Sequence, residues 1–144
     1  MTILVINGPN LNMLGIREPD IYGRETYDTL CEKLRRHAER RGAALELYQS
    51  NHEGDLVDKI QAAYGAADGI VINPGAYTHT SVALLDAVKA VGVPTVEVHI
   101  SDVNAREDFR KRSYIRAACV ATISGHGLAG YTEAMARLID GGAP

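Results

Sequence analysis

The chain has 144 residues, of which 23% are charged and 46% hydrophobic, the balance of one globular domain long enough to bury a core without disulfide or metal staples. Its net charge of -3 argues against nucleic acid as a main partner, although the basic cluster from Arg106 to Arg116 could meet a small anion. No apolar run reaches bilayer length and no signal-like segment opens the chain, so the expectation is a cytoplasmic protein, residues 1–144 as one domain, with no membrane partner.

Thr2 to Ile6 is a continuous apolar run, as expected of a central parallel strand covered on both faces. It ends in the turn Asn7-Gly8-Pro9-Asn10-Leu11-Asn12, rich in backbone-bending residues and side-chain amides. The connection from Met13 to Glu25 holds Gly15, Arg17, Pro19, Tyr22 and Gly23, and its length and content suit a lid over a site. Thr26 then reads as an N-cap, with Tyr27, Leu30, Leu34 and Ala38 at helical spacing until Gly42. Cys31 falls on the apolar side of that helix and His37 among its wet-face charges.

Ala43 to Gln49 reads as the second strand, and Ser50 or Asn51 can cap the helix that follows, whose stripe is Leu56, Val57, Ile60 and Tyr64. His52 reads as a turn residue. Asp68 to Ile72 is a third strand without alternation, and it delivers the polar run Asn73 to Ser81. A helix through Val82, Leu85 and Val88 follows, up to Gly92.

Val93 to Ser101 is the fourth strand. Its β-branched Val96, Val98 and Ile100 share one face, so Glu97 and His99 share the other. A carboxylate and an imidazole held there suit proton transfer or substrate binding. An antiparallel edge strand with one wet face would explain them as well. Asp102 to Ile115 is polar and basic, with a helical turn expected near Glu107 to Arg110. Ala118 to Ile123, with Cys119 inside it, reads as the fifth strand, and Leu128, Tyr131, Met135, Leu138 and Ile139 mark the last helix.

Alternating strands and helices predict an α/β, three-layer flavodoxin-like fold with a five-stranded parallel sheet in the order 2-1-3-4-5. Ligands bind such sheets beyond the carboxyl ends of the strands, near the switch in strand order. The loops after strands one, three and four would then gather Asn10, Arg17, Tyr22, Asn73, His79, Glu97, His99 and Ser101 around one crevice. No Gly-x-Gly-x-x-Gly or Walker motif is present, nor a zincin spacing, nor a Gly-x-Ser-x-Gly elbow. An enzyme acting by proton transfer on a small polar molecule, a module that binds a small anion, and FMN-dependent electron transfer all remain open on the residues alone.

The blocks Ile6-Asn7-Gly8-Pro9-Asn10-Leu11-Asn12, Arg17-Glu18-Pro19 with Tyr22-Gly23, Gln49 to Gly54, Ile72 to Ser81, Glu97-Val98-His99-Ile100-Ser101, Arg106-Glu107 with Phe109-Arg110, and Gly125 to Tyr131 resemble the type II 3-dehydroquinate dehydratases. The resemblance implies anti elimination of water from 3-dehydroquinate without metal, Schiff base or other cofactor, in the shikimate and quinate pathways. It implies Tyr22 as base with Arg17 beside it, a water held by Asn10 at the enolate, and His99 as acid held by Glu97. It further implies substrate contacts from Asn73, His79, Ile100, Ser101 and Arg110, and a homo-oligomer of trimers forming a dodecamer in which Asp86 reaches a neighbour's site. Asp102, Lys111, Arg112 and Ala121 depart from the family pattern beside the site.

Overall fold

The computed structural model describes residues 1–16 and 18–141, with the backbone alone at Tyr22. Five strands, β1 (Thr2–Asn7), β2 (Ala44–Gln49), β3 (Gly69–Asn73), β4 (Thr95–His99) and β5 (Ala121–Ser124), form one sheet in the order β2-β1-β3-β4-β5. Every pairing is parallel, so the flavodoxin-like order expected from the sequence is the one observed. The helices are α1 (Pro19–Tyr22), α2 (Tyr27–Arg41), α3 (Glu53–Ala62), α4 (Val82–Val91) and α5 (Ala129–Ile139).

The unalternating apolar runs of β1 and β3 follow from burial on both faces. Ile3, Val5, Val71, Val96 and Val98 pack with Leu30 and Leu34 of α2 and Tyr131 and Met135 of α5. Leu4, Ile6, Ile70 and Ile72 meet Leu56 and Ile60 of α3 and Leu84 and Val88 of α4 on the opposite face. Strand β4 lies between β3 and β5. The edge-strand explanation of Glu97 and His99 is thereby removed: both are buried, at 0% and 5% exposure.

Capping follows the local sequence in α2, where the Thr26 hydroxyl accepts the Thr29 N–H at 3.1 Å and Gly42 closes the helix at φ 67°. It does not at α3. Neither Ser50 nor Asn51 is the cap; His52 holds that position without a side-chain bond. Ser50 instead accepts the His52 N–H at 3.0 Å and donates to Asp55 at 2.7 Å. The fifth strand also starts later than expected, at Ala121, because Ile115–Ala118 forms a 3-10 turn that buries Ile115 against the α3 and α4 side of the core. Cys119 therefore sits in the connection and not in the strand. The 13–25 segment follows the 3-10 turn Leu11–Met13 and contains α1, with Leu11 and Leu14 buried in the core. No helix among the described residues is long and apolar enough to cross a membrane.

Two loops at the carboxyl end of the sheet stack with no room between them. The Gly8 N–H donates to the Asn73 carbonyl at 2.8 Å, and a Cβ on Gly8 would stand 2.4 Å from the Pro74 carbonyl oxygen. A Cβ on Gly75, which sits at φ 60°, would stand 3.0 Å from the Pro9 carbonyl oxygen. Gly8→Ala is accordingly expected to force the loops apart and to lower stability by about 1–3 kcal/mol. Urea unfolding checks this, and a midpoint equal to that of the unsubstituted chain would contradict it.

Candidate active site

A cleft opens beyond the carboxyl ends of β1, β3 and β4, lined by Asn10 and Leu14, by Asn73 and His79, by His99, Ile100 and Ser101, and by Arg106 and Arg110. Its position is where the strand order reverses. A neighbouring groove lined by Ile21, Gly23 and Arg24 shares Ile100 and Ser101 with it. The backbone of Tyr22 therefore runs alongside the cleft.

Each loop is braced by groups outside the cleft. Asn10 adopts a left-handed conformation at φ 70°, which asparagine tolerates better than most residues. Its N–H donates to Asn51 Oδ1 at 3.0 Å, and the same oxygen accepts from Gln49 Nε2 at 3.2 Å. Gln49 Nε2 also reaches the Gly8 carbonyl at 3.1 Å. The block Gln49 to Asn51 thus buttresses the loop that carries Asn10.

Asn73 is oriented from both ends. Its Oδ1 accepts the Gly75 N–H at 3.1 Å, and its Nδ2 donates to the Tyr131 hydroxyl at 2.9 Å. Tyr131, fully buried, donates its hydroxyl hydrogen bond to Asn7 Oδ1 at 2.6 Å. Burial pushes its phenol far above the ordinary range, so Tyr131 stays a neutral donor. One Nδ2 hydrogen of Asn73 is used in this chain and the other is left for the cleft.

His79 donates from Nδ1 to the Arg112 carbonyl at 2.6 Å, which leaves Nε2 with the lone pair. Burial, with help from the nearby His99 and Arg110, holds its pKa below the usual histidine value against the opposing pull of the Arg112 carbonyl. A neutral ring with a free acceptor nitrogen can receive a hydrogen bond from a hydroxyl. The Phe109 ring stands edge-on to it, 6.3 Å between centroids. Arg110 is held by Glu107, Nε to Oε2 at 2.7 Å, and its guanidinium is a donor to anionic or hydroxyl groups in the cleft.

Glu97 and His99 form a buried acid and imidazole pair at the cleft. His99 Nε2 is hydrogen-bonded to Glu97 Oε2, and because an ionised carboxylate only accepts, that nitrogen carries the proton. Nδ1 is the ring nitrogen that Glu97 does not engage. Such a pair can deliver a proton from the imidazolium while the carboxylate fixes its orientation.

Several expected residues are elsewhere or beyond description. Arg17 lies outside the described residues, and nothing is described of the Tyr22 side chain. Asp86 is exposed on α4 and is not part of the cleft wall of its own chain. Conversely, Arg106 lines the cleft, with its Nε 3.9 Å from Glu107 and its Nη2 4.0 Å from Glu18. In the sequence it stands in the basic run and in the Arg106-Glu107 block of the family resemblance, with no site role attached to it. No cluster of three or more His, Cys, Asp or Glu among the described residues could hold a metal ion.

Residues 1–139 match the family model for class II dehydroquinases. The chain belongs to that family. It is 51% identical over 138 residues to the 3-dehydroquinate dehydratase of Clostridium acetobutylicum, covering 96% of each chain. It is 56% identical over 134 residues to the catabolic 3-dehydroquinase 1 of Aspergillus terreus, covering 93% of this chain and 88% of that one. The crystal structure of the type II dehydroquinase from Butyrivibrio crossotus superposes with a TM-score of 0.95 at 53% identity, over 96% of this chain and 97% of that one.

In this class II dehydroquinase the ionised Glu97 also links stability to pH. Burial alone would raise its carboxyl pKa, but the bonds from His99 and Ser113 and the charge of Arg116 outweigh burial and hold it below the ordinary value. As pH falls the unfolded chain takes up this proton first. The contribution is therefore complete above the ordinary glutamate range and is lost as pH drops through it toward the native value. Urea midpoints measured from neutrality down to about pH 3 should fall, with a shallower fall in Glu97→Gln. Equal slopes in the two proteins would contradict the assignment.

Proposed function

We propose that this class II dehydroquinase removes water from 3-dehydroquinate to give 3-dehydroshikimate, with residues 1–144 acting as one catalytic domain. The observation that carries the reading is the buried Glu97–His99 pair at a cleft also lined by Asn10, Asn73, His79, Ser101, Arg106 and Arg110. In this scheme the Tyr22 phenolate takes a proton from C2, and the electron pair moves into the adjacent ketone to form an enolate. The enolate then collapses, the C1–oxygen bond breaks, and His99 Nδ1 protonates the departing hydroxyl, giving water and the conjugated enone. One proton is taken and one is given, so the reaction balances without an oxidant or a covalent intermediate.

The phenol of a free tyrosine has a pKa of about 10, so roughly one part in a thousand is ionised at neutral pH. A guanidinium beside it favours the phenolate, which is the part assigned to Arg17. Enolate charge needs a donor already in place, and a water held by Asn10 supplies it. Asn73, His79 and Arg110 take the ring hydroxyls, while the Ile100 and Ser101 backbone N–H groups and the Ser101 hydroxyl take the carboxylate. Trimers arranged as a dodecamer would bring the exposed Asp86 of one copy to the cleft of the next.

Mixing the protein with 3-dehydroquinate tests the reading. The ultraviolet absorbance of the conjugated enone should rise, and borohydride added with substrate should leave the activity intact. No rise at any enzyme concentration would reject the dehydratase assignment, and inactivation by borohydride would replace the enolate route with an imine at a lysine.

A further inference from the structure

The Glu97 carboxylate receives more donors than His99 alone. Ser113 Oγ donates to Oε2 at 2.8 Å, and Thr122 Oγ1 donates to Oε1 at 3.2 Å. Arg116 Nε stands 3.9 Å from Oε1. With His99, two hydrogen bonds reach Oε2 and one reaches Oε1, which also faces the guanidinium, on a side chain with 0% exposure. A neutral carboxyl would have to aim its own O–H at one of these donors, whereas a carboxylate accepts from all three and pairs with the guanidinium beside it. The set is therefore built for the anion.

The donors arrive from three places in the chain. Thr122 stands directly opposite Glu97 in the β4–β5 register, so the two side chains share a face of the sheet. Arg116 lies in the 3-10 turn Ile115–Ala118, and Ser113 precedes that turn and accepts the Arg116 N–H at 3.3 Å. Cys119 and His79 also feel the Glu97 charge. Cys119 stays a neutral thiol, since burial and the Glu97 charge push its pKa up to about 12.

We propose that Ser113, Thr122 and Arg116 are positioning residues for the acid half of the reaction: they clamp Glu97 as an anion in one rotamer, so that it holds His99 by Nε2 and turns Nδ1 to the cleft. The proposal rests on the dehydratase reading given above. It assigns a task to Arg116 within a basic segment otherwise read as a surface for anions. It also divides the labour inside the clamp. The two hydroxyls fix geometry, and the guanidinium moderates the negative field that the imidazolium experiences.

Steady-state kinetics across pH on the full chain test this, with unsubstituted protein as the first arm. Absence of turnover there would reject the dehydratase reading itself and so remove the basis of the clamp. Given turnover, Ser113→Ala and Thr122→Val should each lower kcat by about 10-fold, the worth of one hydrogen bond to a charged group. KM should be unchanged, and Ser113→Thr should restore kcat. In Arg116→Gln, where the arginine side chain is 43% exposed, the alkaline limb of kcat should move to higher pH, because one positive charge has left the surroundings of the imidazolium. Nitrogen NMR of labelled histidine gives a readout apart from turnover: the His99 Nε2–H signal should broaden or shift in Ser113→Ala. Folded variants with unchanged kcat, unchanged pH limbs and an unchanged His99 signal would overturn the clamp.

Discussion

Tyr22→Phe is expected to lower kcat by about 10²- to 10⁴-fold, the usual share of a positioned base, while a substrate analogue binds nearly as before. The substitution removes one oxygen and keeps the ring, so little besides the hydroxyl is changed. Only the group that would take the C2 proton is lost. A fall in kcat with little change in analogue affinity marks an interaction made in the transition state and not in the bound substrate. Removing the guanidinium with Arg17→Gln should give a smaller loss that diminishes as pH rises, because more phenol is then ionised without assistance. Isothermal titration with a non-reactive analogue, run beside the enone assay, separates the two effects. Full turnover in Tyr22→Phe would eliminate this residue as the base.

His99→Ala should be costly in two ways at once. The acid is lost, which alone should lower kcat by about 10²- to 10⁴-fold. Glu97, at 0% exposure, then keeps Ser113, Thr122 and Arg116 but loses its hydrogen bond from the ring. Breaking a buried charge-assisted pair on one side typically costs about 3–5 kcal/mol, and the remaining donors should hold the loss to the lower end of that range. Pairing His99→Ala with Glu97→Leu tests the coupling: the double variant should recover part of the stability lost in the single one, because no buried charge is then left unpaired. Urea unfolding of the four proteins gives the coupling energy directly. Strict additivity would mean that the pair is not held together in the folded chain.

How much of this was legible in the chain differs from residue to residue. The unbroken apolar runs of β1 and β3 announced a doubly covered parallel sheet, and two-residue alternation in β4 put Glu97 and His99 on one face before any coordinates. Topology then located the crevice. The clamp on Glu97 was not legible, since Thr122 reaches it only through the register of β4 on β5, and register between strands leaves no trace in either strand alone. Tyr131 read as one more member of an apolar stripe because its ring does pack in the core; that its hydroxyl orients Asn73 depends on where α5 crosses the ends of β1 and β3. The late start of β5 has a similar origin. Ala118-Cys119-Val120 is apolar enough for a strand, but burying Ile115 winds the preceding residues into a turn. Arg106 and Arg110 were indistinguishable from Lys111 and Arg112 by charge, and only the short 3-10 turns of that segment aim the first pair into the cleft.

The decisive measurement is a crystal structure of the protein with a cyclohexene carboxylate analogue bound. The Tyr22 hydroxyl and His99 Nδ1 should stand on opposite faces of the ring, each within about 3.5 Å of the atom it would serve, with the carboxylate on the Ile100 and Ser101 N–H groups. A ring bound with both groups on the same face, or with Tyr22 too distant for one small molecule to touch it and His99 together, would contradict the account.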